Sequence, residues 1–273
     1  MRLVCNRSFV PNSRKVPAVP DEAMPAELSR LWRLASPPQR LGRPAELDVD
    51  LVVRKSVELA DRDGLAGVTL MKVAAALGFT KMALYRHVGS KDELFELMAD
   101  HAAGPPPEFP LAPADWRAEL RRWAHAMRAT HLRHPWLPQL PISGPPRGPN
   151  TVGWMDAHLR VLAGTPLDWA TKVAVMMLVS GHVRQASLLT QQLAEGRADT
   201  GLDEAQVNQA YTRSLAALVD PSRYPEAAKL FSSTVFDPPP ATPADPTEDP
   251  DFTVTLEIIL NGIAQEIAAA ECA

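Results

Sequence analysis

Residues Thr69 to Leu94 read TLMKVAAALGFTKMALYRHVGSKDEL. Thr69 supplies an N-cap hydroxyl for a helix over Leu70 to Leu77, and Gly78 ends that helix where a left-handed backbone is cheap only for glycine. Thr80 opens a second helix reaching His87. Ser90 with Glu93 has the spacing of a capping box and starts a further helix to about His101. Two short helices around a glycine turn form a helix-turn-helix, whose second member enters the DNA major groove. Leu70, Val73, Ala74 and Leu77 face Leu84 and Val88 across the turn, which leaves the other side of the second helix to Lys81, Met82, Tyr85 and Arg86. Lys81 and Arg86 are expected to donate to guanine O6 and N7, Met82 to meet a thymine methyl and Tyr85 to bond a phosphate; His87 and Lys91 are placed to hold the backbone. Spacing alone leaves a second reading open, a helix pair from an ordinary bundle with a solvated charged face.

The charge pattern favours the first reading locally. The whole chain carries a formal charge of -4 and by itself gives no sign of a nucleic-acid partner. Between Thr69 and Lys91, however, every charged side chain is basic: Lys72, Lys81, Arg86 and Lys91. Acids crowd outside, at Asp61, Asp63, Asp92, Glu93 and Glu96, so a basic patch survives in an acidic protein. Upstream, Asp48 or Asp50 opens a helix with Val49, Val52, Val53, Val57 and Ala60 on one face, stopped by Gly64. Met1 to Leu47 is rich in proline and arginine, with a short apolar pattern at Leu28, Leu31, Trp32 and Leu34, and reads as a mostly mobile arm.

Pro105 to Pro107 mark a boundary, after which only helices are predicted: Asp115 to His134, Thr151 to Ala163, Leu167 to Leu193, Asp203 to Val219, Pro225 to Phe231 and Phe252 to Ala270. Pro135 to Pro149 reads as a loop with one helical turn, and Asp237 to Asp251 as a disordered acidic loop. With 46% apolar residues the chain can bury a large core. Cys5 and Cys272 form no metal or disulfide pattern, which fits a reducing cytoplasm. The longest apolar run, Val173 to Val179, falls short of a membrane span. No GxSxG, GxxxxGK[ST], GxGxxG or HExxH pattern occurs, so neither an enzyme nor a cofactor is expected. His131 and His134, at i,i+3, have no carboxylate or thiolate alongside, and no metal is expected there.

The segment with Leu77-Gly78, Met82-Ala83-Leu84-Tyr85-Arg86-His87-Val88 and Lys91-Asp92-Glu93-Leu94 resembles the DNA-binding domain of the TetR family of bacterial transcriptional repressors. The likeness extends upstream through Ala60-Asp61-Arg62-Asp63-Gly64-Leu65 to Arg40-Leu41-Gly42-Arg43-Pro44, and downstream through His134-Pro135-Trp136, Gly148-Pro149-Asn150 and the last helix. It implies an all-α protein: an N-terminal basic arm (1–46), a helix-turn-helix domain (47–103) and a larger ligand-binding and dimerisation domain (114–273). It further implies base contacts for Lys81, Met82 and Arg86, phosphate contacts for Thr69, Tyr85, His87 and Lys91, and arm contacts for Arg40 and Arg43.

The last helix is apolar at Phe252, Leu256, Ile259, Leu260, Ile263 and Ile267, and on another side at Val254 and Ile258, so one face meets its own core and another a second copy. Recognition helices must also be paired to reach half-sites about one turn apart. Trp136, Trp154, Met155, His158, Met176, Met177, His182 and Gln185 are the candidates to line a small-molecule pocket, mixing adaptable apolar surface with a few orienting polar groups. The expected function is a ligand-responsive regulator, most naturally a repressor, which binds a near-palindromic operator as a homodimer and leaves it when a small molecule binds. An activator of the same fold, or a ligand-binding protein without DNA activity, are the alternatives.

Overall fold

A computed structural model describes residues 25–34, 47–198, 200–236 and 249–272, and among them all regular structure is helical. The side chain of Asp48 accepts from the Leu51 amide and opens α2 (Val49–Asp63), which follows α1 (Ala26–Leu31). Val52, Val53, Val57 and Ala60 of α2 are buried, and Gly64, at φ 67°, turns the chain out of the helix. Thr69 then caps α3 (Leu70–Leu77) through the Lys72 amide, Gly78 closes it in the left-handed conformation, and Thr80 caps α4 (Lys81–Tyr85). Ser90 caps α5 (Lys91–Ala103). These helices share one core in which Val73, Leu84, Val88, Leu94 and Met98 are wholly buried.

Two expectations change here. The second helix of the pair stops at Tyr85 instead of His87, because the amides of both His87 and Val88 reach the Leu84 carbonyl and tighten the chain into a turn that buries Val88. Glu93 does not close a reciprocal box on Ser90. Its carboxylate accepts from the Gly89 amide at 2.9 Å and pairs with Arg30 of α1, whose Nη2 lies 2.8 Å away. The short apolar pattern in the arm packs on the domain: Leu31 is buried in the N-terminal core and Trp32 Nε1 donates to the Arg147 carbonyl at 2.7 Å. Arg40 and Arg43 lie outside the described residues.

The second core is built by α6 (Trp116–Arg133), α7 (Pro149–Val161), α8 (Trp169–Ala198) and α11 (Pro250–Glu271) around Leu120, Trp123, Trp154, Val179, Val183, Leu256 and Leu260. Between α8 and α11, α9 (Glu204–Leu218) and α10 (Pro225–Phe231) pack mainly on each other through Tyr211, Phe231 and Phe236. Most of the expected acidic loop before α11 lies outside the described residues, but Asp249 is placed and caps α11 through the Phe252 amide.

By length and composition alone both α8 and α11 are apolar enough to cross a membrane, although neither contains an unbroken apolar run of that length. Their outward faces explain this: Val173 and Met177 on α8, and Val254 and Ile258 on α11, are exposed pairs spaced i,i+4. Such spacing makes an apolar stripe on a helix whose other side is already in the core.

Candidate nucleic-acid interface and buried polar core

Capping and burial together fix the presentation of α4. With Leu84 wholly buried against α3, Lys81, Met82, Tyr85 and Arg86 are left exposed, Met82 at 71%. Lys81 Nζ lies 5.6 Å from the centroid of the exposed Tyr85 ring, whose face attracts the ammonium. Thr69 Oγ1 already accepts from the Lys72 amide, which leaves its O–H free to donate. His87 is half-buried in the turn after α4, and Lys91, the first residue of α5, holds its Nζ 4.9 Å from the Phe95 ring. The seven described residues named for DNA contact thus lie on α4, its flanking turn and the starts of α3 and α5, and no acid comes between Thr69 and Lys91.

The residues named for a ligand pocket are not all brought together. Trp154 and His158 are buried in the C-terminal core, Met155 and Met176 are half-buried, and His182 stacks on Phe252 with ring centroids 5.1 Å apart. Met177 and Gln185 face outward. Trp136 departs furthest: it is buried against the N-terminal core, and its Nε1 donates to Asp61 at 2.6 Å, where His134 Nδ1 also arrives at 2.8 Å. Pro135 ends α6 and sends the chain back toward α2, carrying Trp136 to the seam between the domains. A surface cleft of about 380 Å³ beside α8, lined by Pro138, Gln139, Arg184, Gln191 and others, contains none of the named residues.

Inside the C-terminal core two basic groups are incompletely paired. His158 is fully buried and, among the described residues, neither ring nitrogen has a hydrogen-bond partner; its imidazole packs edge-on against Trp123, centroids 5.0 Å apart. Arg128 pairs with Asp249 at 2.6 Å and lies over the Phe252 ring, but its Nε is buried without a partner. Each orphaned polar atom costs on the order of 1–3 kcal/mol. Trp123 and Arg128 escaped the sequence reading because each fits an amphipathic helix; Arg128, a charge on the buried side of α6, was the available signal.

The seam has a second polar centre. Asp100, buried on α5, accepts from the backbone amides of Asn150 and Thr151 at 3.0 and 2.9 Å, where α7 begins. Asn150 Nδ2 donates back to the Asp100 carbonyl at 3.0 Å. One helical turn along, Trp154 Nε1 donates to the carbonyls of Ala103 and Gly104 at 3.3 and 3.0 Å, at the end of α5. The last turn of the helix-turn-helix domain is thus gripped by α7 at both places.

Comparisons with known proteins bear on the whole of this architecture. The family model described as bacterial regulatory proteins, tetR family, matches residues 52–98, and that described as the tetracyclin repressor-like C-terminal domain matches residues 109–267. The chain belongs to the TetR family. Among curated TetR-type relatives, the HTH-type transcriptional repressor DrrR1 of Streptomyces coeruleorubidus is 37% identical over 211 residues, 76% of this chain and 77% of that one. The tetracycline repressor protein class A of Escherichia coli is 27% identical, over 64% of this chain and 90% of its own length. Among solved structures, apo ActR from Streptomyces coelicolor superposes with a TM-score of 0.65 at 25% identity, covering 85% of this chain and all of ActR; ActR has also been solved in complex with actinorhodin.

This TetR-family core sets a pH dependence. Burial pushes both His131 and His158 down to about 4, so both are neutral in the folded protein at pH 7. In the unfolded chain each takes a proton near 6.5, so their stability contribution is complete above that pH and is lost as pH falls toward 4. The thermal midpoint is expected to drop steeply between pH 6.5 and 4.5, and replacing His131 with phenylalanine should flatten that slope. A midpoint that does not move over this window would show that neither ring is held neutral.

Proposed function

We propose that this protein is a ligand-responsive transcriptional repressor that binds a near-palindromic operator as a homodimer in the cytoplasm and releases it when a small molecule occupies the C-terminal domain. The observation that carries the reading is the exposed face of α4, where Lys81, Met82, Tyr85 and Arg86 stand clear of a helix whose other side is locked by Leu84. Lys81 and Arg86 take the bases together with Met82, while Thr69, Tyr85, His87 and Lys91 take the phosphates; Arg40 and Arg43 extend the contact along the duplex. DrrR1, a repressor, and ActR, solved with a small molecule bound, support the two halves of this function. Regulation would then be linkage: a ligand that favours a dimer with misplaced recognition helices weakens operator binding by the same factor. The test is to select genomic fragments on the immobilised protein across a salt series. Recovery of one near-palindromic fragment supports the reading, and retention of none above background would end it.

The dimer is assigned to the outward stripes of α8 and α11. Ile258→Asp on α11, 65% exposed in the single chain, puts a charge into the centre of that apolar contact. The variant is expected to run as a monomer at micromolar concentration in sedimentation velocity and to lose operator binding. If it sediments as the wild-type dimer does, the interface lies elsewhere.

A further inference from the structure

His158 is a polar side chain with no solvent exposure and, among the described residues, no partner for either nitrogen; it packs on the ring of Trp123, which in turn meets Trp154. We propose that His158 is the recognition group for the effector, and that the effector is a flat aromatic molecule bearing a hydroxyl, which bonds the imidazole while its ring lies against Trp123 and Trp154. The proposal rests on the regulator reading above and names the ligand class that reading leaves open.

The chemistry of the site selects that class. A neutral imidazole presents one N–H donor and one bare nitrogen, and a hydroxyl can answer either because it both donates and accepts. A carboxylate only accepts, so it can satisfy the donor nitrogen alone and would be buried as an anion. An ammonium only donates, and buries a charge beside an imidazole that, among the described residues, has no carboxylate bonded to it. The rings decide the shape: Trp123 meets Trp154 edge to face at 5.8 Å and His158 at 5.0 Å, an arrangement that a planar arene can join with the same edge and face geometry.

The position of the site explains how occupation reaches DNA. The rings around His158 are closed over it, since Trp123 and Trp154 are both buried. An arene that reaches His158 by displacing the Trp154 ring breaks the bonds by which Trp154 Nε1 holds the Ala103 and Gly104 carbonyls at the end of α5. Trp123 is tied to the same helix, because its Nε1 donates to the Trp154 backbone carbonyl at 3.1 Å. Occupation of the site therefore loosens one of the two places at which α7 grips the last turn of α5.

Calorimetric titration without DNA tests this, using 2,6-dihydroxynaphthalene against 2,6-dimethoxynaphthalene, which keeps the ring and loses the donor. Wild type is expected to bind the dihydroxy compound at least about tenfold tighter, the usual effect of one buried hydrogen bond. His158→Leu should lose that preference and melt about 2–4 °C higher, because it removes two orphaned nitrogens from an apolar core. His158→Gln, which keeps a donor and an acceptor, should restore part of the preference. A lower melting point for His158→Leu would make the ring a packing residue and overturn the proposal. So would equal affinity for the two compounds in wild type, or an unchanged preference in His158→Leu. Since no DNA is present, failure of the operator assay would count against the regulator reading alone.

Discussion

Arg86→Ala is expected to weaken operator binding roughly 10- to 100-fold, the loss of about 1–3 kcal/mol that accompanies removal of one bidentate base contact. Arg86 is exposed at the C-terminal end of α4, and among the described residues its side chain has no hydrogen-bond or ion-pair partner. The variant should therefore melt as wild type does, which separates lost contact from lost fold. The loss should be specific: affinity for the selected operator falls, while affinity for random duplex changes less. Tyr85→Phe and Lys91→Ala act differently, since both are assigned to phosphates. Each should weaken binding to all sequences, and Lys91→Ala should lower the salt slope by about one. Mobility-shift titrations at three salt concentrations read all of these. An Arg86→Ala protein that binds the operator as wild type does would remove this face of α4 from the interface.

The second large effect is expected at the seam. Asp100→Ala leaves the Asn150 and Thr151 amides without their acceptor at the buried start of α7, which costs about 2–4 kcal/mol and lowers the thermal midpoint by roughly 5–10 °C. The carboxylate is not there cheaply, because desolvation raises its pKa and outweighs the hydrogen bonds from Thr151 and Asn150 that lower it. Asp100→Asn should consequently be much milder, keeping an acceptor while removing the buried charge. Gly148→Ala probes the same place from the other side. A Cβ there would stand 2.1 Å from Asp100 Oδ1, and since Gly148 has an ordinary extended backbone, close approach alone demands glycine. That variant should lose about 1–3 kcal/mol through overpacking. If Asp100→Ala and Gly148→Ala both melt with wild type, the seam is not held at Asp100.

How far the sequence could be read depended on whether a structure was local. Asp48, Thr69, Thr80, Ser90, Asp115 and Asp203 each cap the helix that their position predicts, because an N-cap needs only its own next three residues. The end of α4 was misplaced because two amides compete for the Leu84 carbonyl, a choice made by burying Val88. Glu93 looked like a local cap and proved to be half of a long-range pair with Arg30. Trp136 looked like pocket lining from its type alone, and only the turn at Pro135 sends it to Asp61. The surface of α4 was legible because exposure follows from helical spacing. The interior around His158 was not, since a missing partner is visible only when every neighbour is placed.

Asp61 and Asp100 each reach from the first domain into backbone or side-chain donors of the second. This matters for anyone building hybrid sensors. A foreign reading head joined to this C-terminal half would leave Trp136 Nε1 and the first amides of α7 unanswered unless it brings carboxylates at those two places. In this chain the exchange of reading heads is therefore constrained by two acids at the junction, and a graft that transplants α4 alone, leaving α2 and α5 in place, is the one expected to change the address without deafening the receiver.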